Sequence, residues 1–333
     1  GANWFASLLG ASGAVQTFAV SYMQIRLYGA PAVLITLVAF GALRGLQDMR
    51  SPLWIAVGIN LVNLVLDWLL IFGNAGFPEM GVAGSALAST ISQWLGALAA
   101  VIIIARKLGL SSDFDFSDVK KLLRVGRDLF MRTALLNFFL AFTTRAANNI
   151  GADAGAAHQV IRQVYSFTGL TLDAFALTVQ SLVGYFMGQA SIQWAKKVAR
   201  VGFNWSVVTG VLLGAGMWLG RGTLITYLVP ASAVAVFLPA WGISALSQPL
   251  NAISFLTDGV HWGTGDYRFL RNAMLTATGI GIAGIWLVGN SEANALNLIW
   301  AVTAVWVLAR GILGVLRIWP GIGKSVFSTR KIT

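Results

Sequence analysis

The 333-residue sequence contains no cysteine. That excludes a disulfide framework and any thiolate metal site. Charge is scarce as well: 11% of the residues are Asp, Glu, Lys or Arg, where a soluble domain carries roughly 25%. Acids are the rarer sign, 12 against 23 basic residues, and there are two histidines. His158 and His261 have no metal-ligand partners at useful spacing, so structural roles are expected for both, with no metal site and no cofactor. The short alternating segments of a membrane β-barrel are missing. A phosphate loop is missing too: "GIGKS" near the tail lacks the leading Gly, which argues against an ATP-driven engine. "GIGIAG" (279–284) fits G-x-G-x-x-G, but it lies inside an apolar run with no preceding strand and reads as a small-residue packing face. The start Gly1-Ala2-Asn3-Trp4 has no initiator Met and no basic-then-apolar leader. The chain is therefore expected either to have been processed or to begin in mid-protein.

What the sequence has in abundance is hydrocarbon, at 57% hydrophobic residues. Apolar runs long enough to cross a bilayer core of roughly 30 Å recur along its length. The expected fold class is an all-α polytopic membrane protein. Nine spans are read, at about 18–43, 53–72, 82–105, 129–150, 166–188, 203–219, 233–260, 272–289 and 294–316. Seventeen of the 23 basic residues fall in alternate connections and the tail, among them Arg44, Arg50, Arg106, Lys120, Lys196, Arg268 and Lys324. The intervening connections "GNAGFPEM" and "GNSEAN" hold none. This asymmetry follows the positive-inside rule. The net charge of +11 thus reflects topology in a lipid bilayer, and no nucleic-acid partner is expected. The C-terminus is predicted on the cytoplasmic side of the inner (cell) membrane. "SDFDFSDVKK" (112–121) reads as an amphipathic connection, with Ser117 a candidate cap for the helix that follows.

An internal repeat is present. "PAVLITLVAFGALRGLQDMR" (31–50) and "PLNAISFLTDGVHWGTGDYR" (249–268) align without a gap at an offset of 218. They share P-x9-G-x3-G-x2-D-x-R, and both close a span on the basic side. The repeat is therefore parallel, a transporter plan in which the halves are related by an axis along the membrane normal. Three spans precede the second copy within its own half and none precedes the first. Roughly 90 to 100 residues, three helices, are expected ahead of residue 1, giving a parent of twelve helices in two lobes of six. Predicted domains are 1–110 (the rest of the first lobe), 111–128 (the connection) and 129–333 (the second lobe and tail). Asp48 with Arg50, and Asp266 with Arg268, recur in both copies and read as structural ion pairs at helix ends. Pro31 and Pro249 are expected to kink their helices.

Polar groups inside apolar runs mark the candidate site. "GINLVNLVLDWLLIFG" (58–73) carries Asn60, Asn63 and Asp67 at i, i+3 and i+7, one face of one helix. Asp67 lies roughly 21 Å into its span at 1.5 Å per residue. A charged Asp at mid-helix costs about 2.5 to 3.5 kcal/mol on insertion scales. The plain alternative is an interhelical hydrogen bond that only holds spans together. The repeat favours function: at +218, Asn63 maps to Gly281 and Asp67 to Ile285, so the cluster is not shared scaffold. Asp173 shares a face with Gln180, and Asp258 maps to Phe40 in the first copy. Either acid is a candidate lining for the second lobe's cavity; the alternative is a satisfied pair with an embedded cation such as Arg132 or Arg145. Arg26 is expected to snorkel or to pair.

The stretches "IRLYGAPAVL", "GALRGLQDMRSPL", "NLVNLVLDWLLIFG", "GVAGSALASTISQ" and "LDAFALTVQSLVG" resemble the multidrug and toxic compound extrusion (MATE) transporters, in particular their DinF-like branch, along nearly the whole chain. The resemblance implies two six-helix lobes, with the nine spans as the fourth to twelfth helices. It places Asn63 and Asp67 where the family keeps its fifth-helix Asn and Asp. Ser89 falls where the family usually has Thr, with the adjacent Thr90 the alternative partner. The family's acidic residue on its first helix would lie ahead of residue 1.

The function expected from residues and resemblance together is a cation-coupled, proton-driven antiporter acting as a monomer and exporting hydrophobic or cationic organic compounds. It is not an enzyme. Asp67, Asn63, Ser89 and Thr90 are the ion-coupling candidates; Asn60, Asp173, Gln180 and Asp258 are the substrate-cavity candidates. Sodium is the alternative coupling ion, disfavoured by the absence of acids from span four. A lipid-linked precursor flippase of related architecture and an inactive truncated transporter are the alternative functions.

Overall fold

The computed structural model describes residues 2–4, 13–109, 116–288, 295–323 and 325–327. The long elements among them are all α-helices: α1 (Gly13–Gly45), α2 (Arg50–Phe72), α3 (Gly81–Leu108), α4 (Phe116–Ile150), α5 (Ala152–Gly188), α6 (Ile192–Leu228), α7 (Val234–Leu246), α8 (Gln248–Thr264), α9 (Tyr267–Val288) and α10 (Ala295–Ile318). Each of the nine expected spans has its helix or helix pair. The helices overrun the apolar runs: α5 begins fourteen residues before residue 166, and α6 extends nine residues past residue 219. Hydropathy marks only the segment matched to hydrocarbon. The backbone keeps its i→i−4 hydrogen bonds into the polar flanks, where propensity allows them.

Six single helices are long and apolar enough to cross a membrane: α1, α2, α3, α5, α6 and α10. The bent pair α7–α8 makes a seventh. In α4, Arg132 and Arg145 interrupt the apolar run; in α9, Asn272, Thr276, Thr278 and three glycines dilute it. The side chain of Ser117 lies outside the described residues, as do Lys324 and residues 328–333.

The chain divides into two compact units, Gly1–Phe114 and Asp115–Thr333. In the first, α3 is central: α1 and α2 both pack on it and scarcely touch each other. Its buried positions are nearly all small, including Gly84, Ala86, Ala88, Ser92, Gly96 and Ala97. Small residues let helix backbones approach where hydrophobic burial cannot drive association. Ala39, Leu43, Ile55 and Ala100 form a small core near the end that carries Asp48.

In the second unit α5 is central, packing on α4, α6, α7 and α8. A Cβ at Gly259 would lie 2.4 Å from the Ala176 carbonyl oxygen, and one at Gly263 2.6 Å from that of Gln180. Both contacts pair positions 83 apart in sequence, so α5 and α8 run parallel in backbone contact. Glycine is required at both. The repeat partners Gly41 and Gly45 meet nothing within 4 Å among the described residues. Among the described residues, the shared motif therefore seals a helix contact in its second copy and not in its first. "GIGIAG" is a packing face, as read: Cβ atoms at Gly281 and Gly284 would strike Phe139 and Val302.

The seventh span breaks at Ser247, where α7 and α8 meet at 45°. Pro249, at the second position of α8, cannot donate to the preceding turn, and the bend follows. The break is backed by α6. Cβ atoms would fall 2.6 Å from the Ala245 carbonyl oxygen at Gly214 and 2.9 Å from that of Gln248 at Gly210. Pro31 behaves differently: α1 runs unbroken through it.

The two repeated acids are ion-paired, but not to the arginines two residues on. Asp48 pairs with Lys107 at the end of α3, 2.5 Å away, and accepts the backbone N–H groups of Arg50 and Ser51 and the Ser51 hydroxyl. Asp266 pairs with Arg317 at the end of α10, 2.8 Å away. The correction has a physical basis. A side chain two residues along a helix start points away, whereas the last turn of a neighbouring helix comes alongside.

Candidate functional site

In the first unit the candidate cluster lies in the α2–α3 hairpin. Antiparallel packing brings Asn63 opposite Ser89, and the Asn63 amide donates to the Ser89 hydroxyl at 3.4 Å. Thr90, one residue on and therefore about 100° around the helix, faces α1, where its hydroxyl donates to the Ile25 carbonyl at 3.3 Å. The structure thus joins Asn63 to Ser89 and turns Thr90 to a different neighbour. Arg26 is paired: its guanidinium donates to the Gln93 side-chain oxygen at 2.8 Å, and Trp94 donates to the Tyr28 carbonyl. Asn60 is exposed, and its amide donates to the Ala56 carbonyl of its own helix.

Asp67 sits five residues before the end of α2. Its Oδ1 is buried, with no hydrogen-bond partner among the described residues. Buried polar atoms are nearly always partnered, because water must otherwise be given up without return. A single orphaned carboxylate oxygen one turn from an amide–hydroxyl pair has unused capacity to accept a hydrogen bond.

The second unit gathers Asp173, Gln180 and Asp258 around one polar cavity of about 220 Å³, with Arg132, Phe255 and Trp262. Both readings of Asp258 hold together. It lines the cavity, and it is paired with Arg132 from α4 and with Arg310 from α10, the latter at 2.7 Å. Arg145 is exposed and is not its partner. Arg310 also lies over the Trp306 ring, 4.7 Å from its centre. Sequence reasoning missed Arg310. Its signal was available: an arginine within the apolar run of "VWVLARGILG" requires a buried anion. Also missed was a polar stripe along the bent span, Ser244, Gln248, Asn251, Ser254 and Thr257, every one of them nearly fully buried. Asp128, a buried acid of α4, is held by Arg271 at 2.7 Å and Arg127 at 3.1 Å and fastens α4 to α9. No group of three or more potential metal ligands occurs among the described residues.

Comparison with known proteins fits this architecture. The MatE family pattern matches residues 1–69 and 129–287. Protein DETOXIFICATION 44, chloroplastic, of Arabidopsis thaliana is 32% identical over 287 residues, which is 80% of this chain and 53% of that protein. DNA damage-inducible protein F of Escherichia coli (strain K12) is 27% identical over 323 residues, 94% of this chain and 68% of that protein. The chain spans a little over half the length of the Arabidopsis relatives it matches. A crystal structure of MATE in the bent conformation superimposes with a TM-score of 0.85 at 17% identity, covering 95% of this chain and 72% of that one. With more than half of its length inside the family pattern and the family's helical fold, this chain belongs to the MatE family of multidrug and toxic compound extrusion transporters.

Proposed function

We propose that this chain carries the ion-coupling site of a proton-driven antiporter that exports hydrophobic or cationic organic compounds. The observation that carries the proposal is the buried oxygen of Asp67, without a hydrogen-bond partner among the described residues, beside the Asn63–Ser89 pair. An embedded carboxyl with unused hydrogen-bonding capacity exchanges a proton without first breaking an ion pair. Protonation neutralises the group that attracts a cationic compound, so proton and cargo compete. A gradient of one then drives export of the other by differential affinity. Thr90 supports the site from the α1 side of α3. Asp173, Gln180 and Asp258 supply polar contacts for cargo in the second unit, and the arginines at Asp258 keep that centre charged while Asp67 changes state.

The C-terminus is assigned to the cytoplasmic face of the inner membrane, from the basic residues on alternate connections. Names among the relatives, such as the probable multidrug resistance protein NorM of Thermotoga maritima, agree with an export role. A precursor flippase would need a broadly basic cavity; here one arginine, Arg132, lines the cavity with two acids, Asp173 and Asp258.

The test is Asp67→Asn, assayed in everted vesicles. Expected is loss of proton-coupled export of an organic cation with expression retained. Wild-type export by the variant would remove the mechanism.

A further inference from the structure

Nine buried side-chain polar atoms have no hydrogen-bond partner among the described residues, and eight of them lie in the second unit. They follow one line. Four are on the bent span: Ser244 Oγ, Gln248 Oε1, Asn251 Nδ2 and His261 Nε2. Their residues, together with Ser254 and Asp258, sit at steps of 4, 3, 3, 4 and 3, a single stripe on the helix surface. Two more are the Nε atoms of Arg132 and Arg310, whose terminal nitrogens hold Asp258. The last two, His158 Nδ1 and Trp300 Nε1, join the line through Tyr165. The Tyr165 hydroxyl donates to Asn251 Oδ1 at 3.0 Å, and its ring lies 5.8 Å from that of Trp300, which in turn lies 5.5 Å from His158.

A buried polar group left unmet costs stability, and eight of them strung along one edge call for a ligand that satisfies them. Their chemistry selects that ligand. Gln248 Oε1 only accepts, Asn251 Nδ2, Trp300 Nε1 and the arginine nitrogens only donate, and Ser244 can do both. An anion would face the Gln248 oxygen and Asp258; a metal ion would face N–H donors and two guanidinium groups. A small neutral molecule that donates and accepts fits every position.

We propose that the second unit holds a file of ordered water molecules along the polar edge of the bent span, from His158 and Trp300 past Asn251 to the Arg132–Asp258–Arg310 centre and His261. The file is not part of the repeated scaffold: 218 positions earlier the stripe reads Arg26, Ala30, Val33, Thr36, Phe40 and Leu43. It gives Asp258 a hydrated connection through the helix bundle besides its own cavity.

Hydroxyl-radical footprinting by X-ray radiolysis, read by mass spectrometry on the intact protein in lipid nanodiscs, tests this. Radicals formed from a bound water oxidise the side chains beside it. Trp300 and Trp241 are both buried, at 3% and 0% exposure. Trp241 is the internal control, because its indole N–H is satisfied by the Met217 carbonyl. Trp300 is expected to oxidise about tenfold faster than Trp241, in solution and in frozen samples alike, as a water in contact requires. Equal rates would overturn the proposal. So would labelling of Trp300 that vanishes on freezing, which would mark transient opening of the bundle. In Asn251→Leu the Trp300 rate is expected to fall to that of Trp241. An unchanged rate in that variant would show that the stripe does not hold the water. Should that variant fail to fold, the wild-type ratio decides alone.

Discussion

Asp67 and Asp258 are two embedded acids in opposite circumstances. One has a buried oxygen with no hydrogen-bond partner among the described residues; the other is gripped by two guanidinium groups. Removing one partner from a buried ionic cluster leaves charge uncompensated and costs about 3–5 kcal/mol. Asp258→Asn is therefore expected to lower the detergent melting temperature sharply, because it strands Arg132 and Arg310. Asp67→Asn is expected to leave that temperature nearly unchanged. A differential scanning measurement on both variants separates the two cases, and equal melting shifts would contradict the assignment. The sequence made Asp67, Asn63 and Asp258 legible because each is conspicuous in an apolar run. It did not decide between Ser89 and Thr90, since adjacent helical residues face different neighbours and only packing tells which helix lies where. Arg310 was legible in principle; its partner, 52 residues away, was not.

At the level of elements, the repeat predicted that two helix ends would be fastened alike, and they are, through partners outside the repeat. Asp48 reaches Lys107 and Asp266 reaches Arg317, each at the end of its unit's last helix. Such pairs are hidden in a sequence because neither the loop nor the packing angle that brings them together has a local signature. The Lys107 ammonium, and then the Ser51 hydroxyl and backbone N–H, hold the Asp48 carboxyl well below the usual carboxylate range. The native state thus binds its proton less readily than the unfolded chain does. The stability this adds is complete above about pH 4, the ordinary carboxylate range, and is lost as the pH falls toward the lowered value. Lys107 is 43% exposed, so solvent screens the pair and the effect is shallow. Lys107→Ala is expected to flatten the acid limb of a melting-temperature profile between about pH 5 and 3, with little change at neutral pH. The glycine seams make a stronger demand. Gly259→Ala would drive a methyl group into the Ala176 carbonyl and is expected to cost about 1–3 kcal/mol, as overpacking does. Gly41→Ala in the first copy should be neutral or slightly stabilising in the same chain, as measured by thermal unfolding. Nothing in the P-x9-G-x3-G pattern separates these two glycines; the difference lies in what stands opposite.

Across the whole molecule, the all-helical class was legible from hydropathy and charge alone, because lipid permits few alternatives. Helix ends and the break at Ser247 were not, since two prolines, Pro239 and Pro249, stand in the span and the sequence does not say which of them marks a break. The absence of cysteine makes orientation directly testable. Phe77→Cys, on the connection without basic residues, is expected to react with a membrane-impermeant maleimide on intact cells. Lys196→Cys, on a basic connection, is expected to react only in everted vesicles. The reverse pattern would invert the proposed topology.

The contacts of Gly210 and Gly214 with the carbonyls on either side of Ser247 leave no slack behind the bend. Straightening the seventh span would pull those oxygens off their seats unless Ile192–Leu228 swung with it. The two helices therefore form a single lever: whatever force opens or closes the angle must be applied to both rods together, with the glycine pair as its rivets.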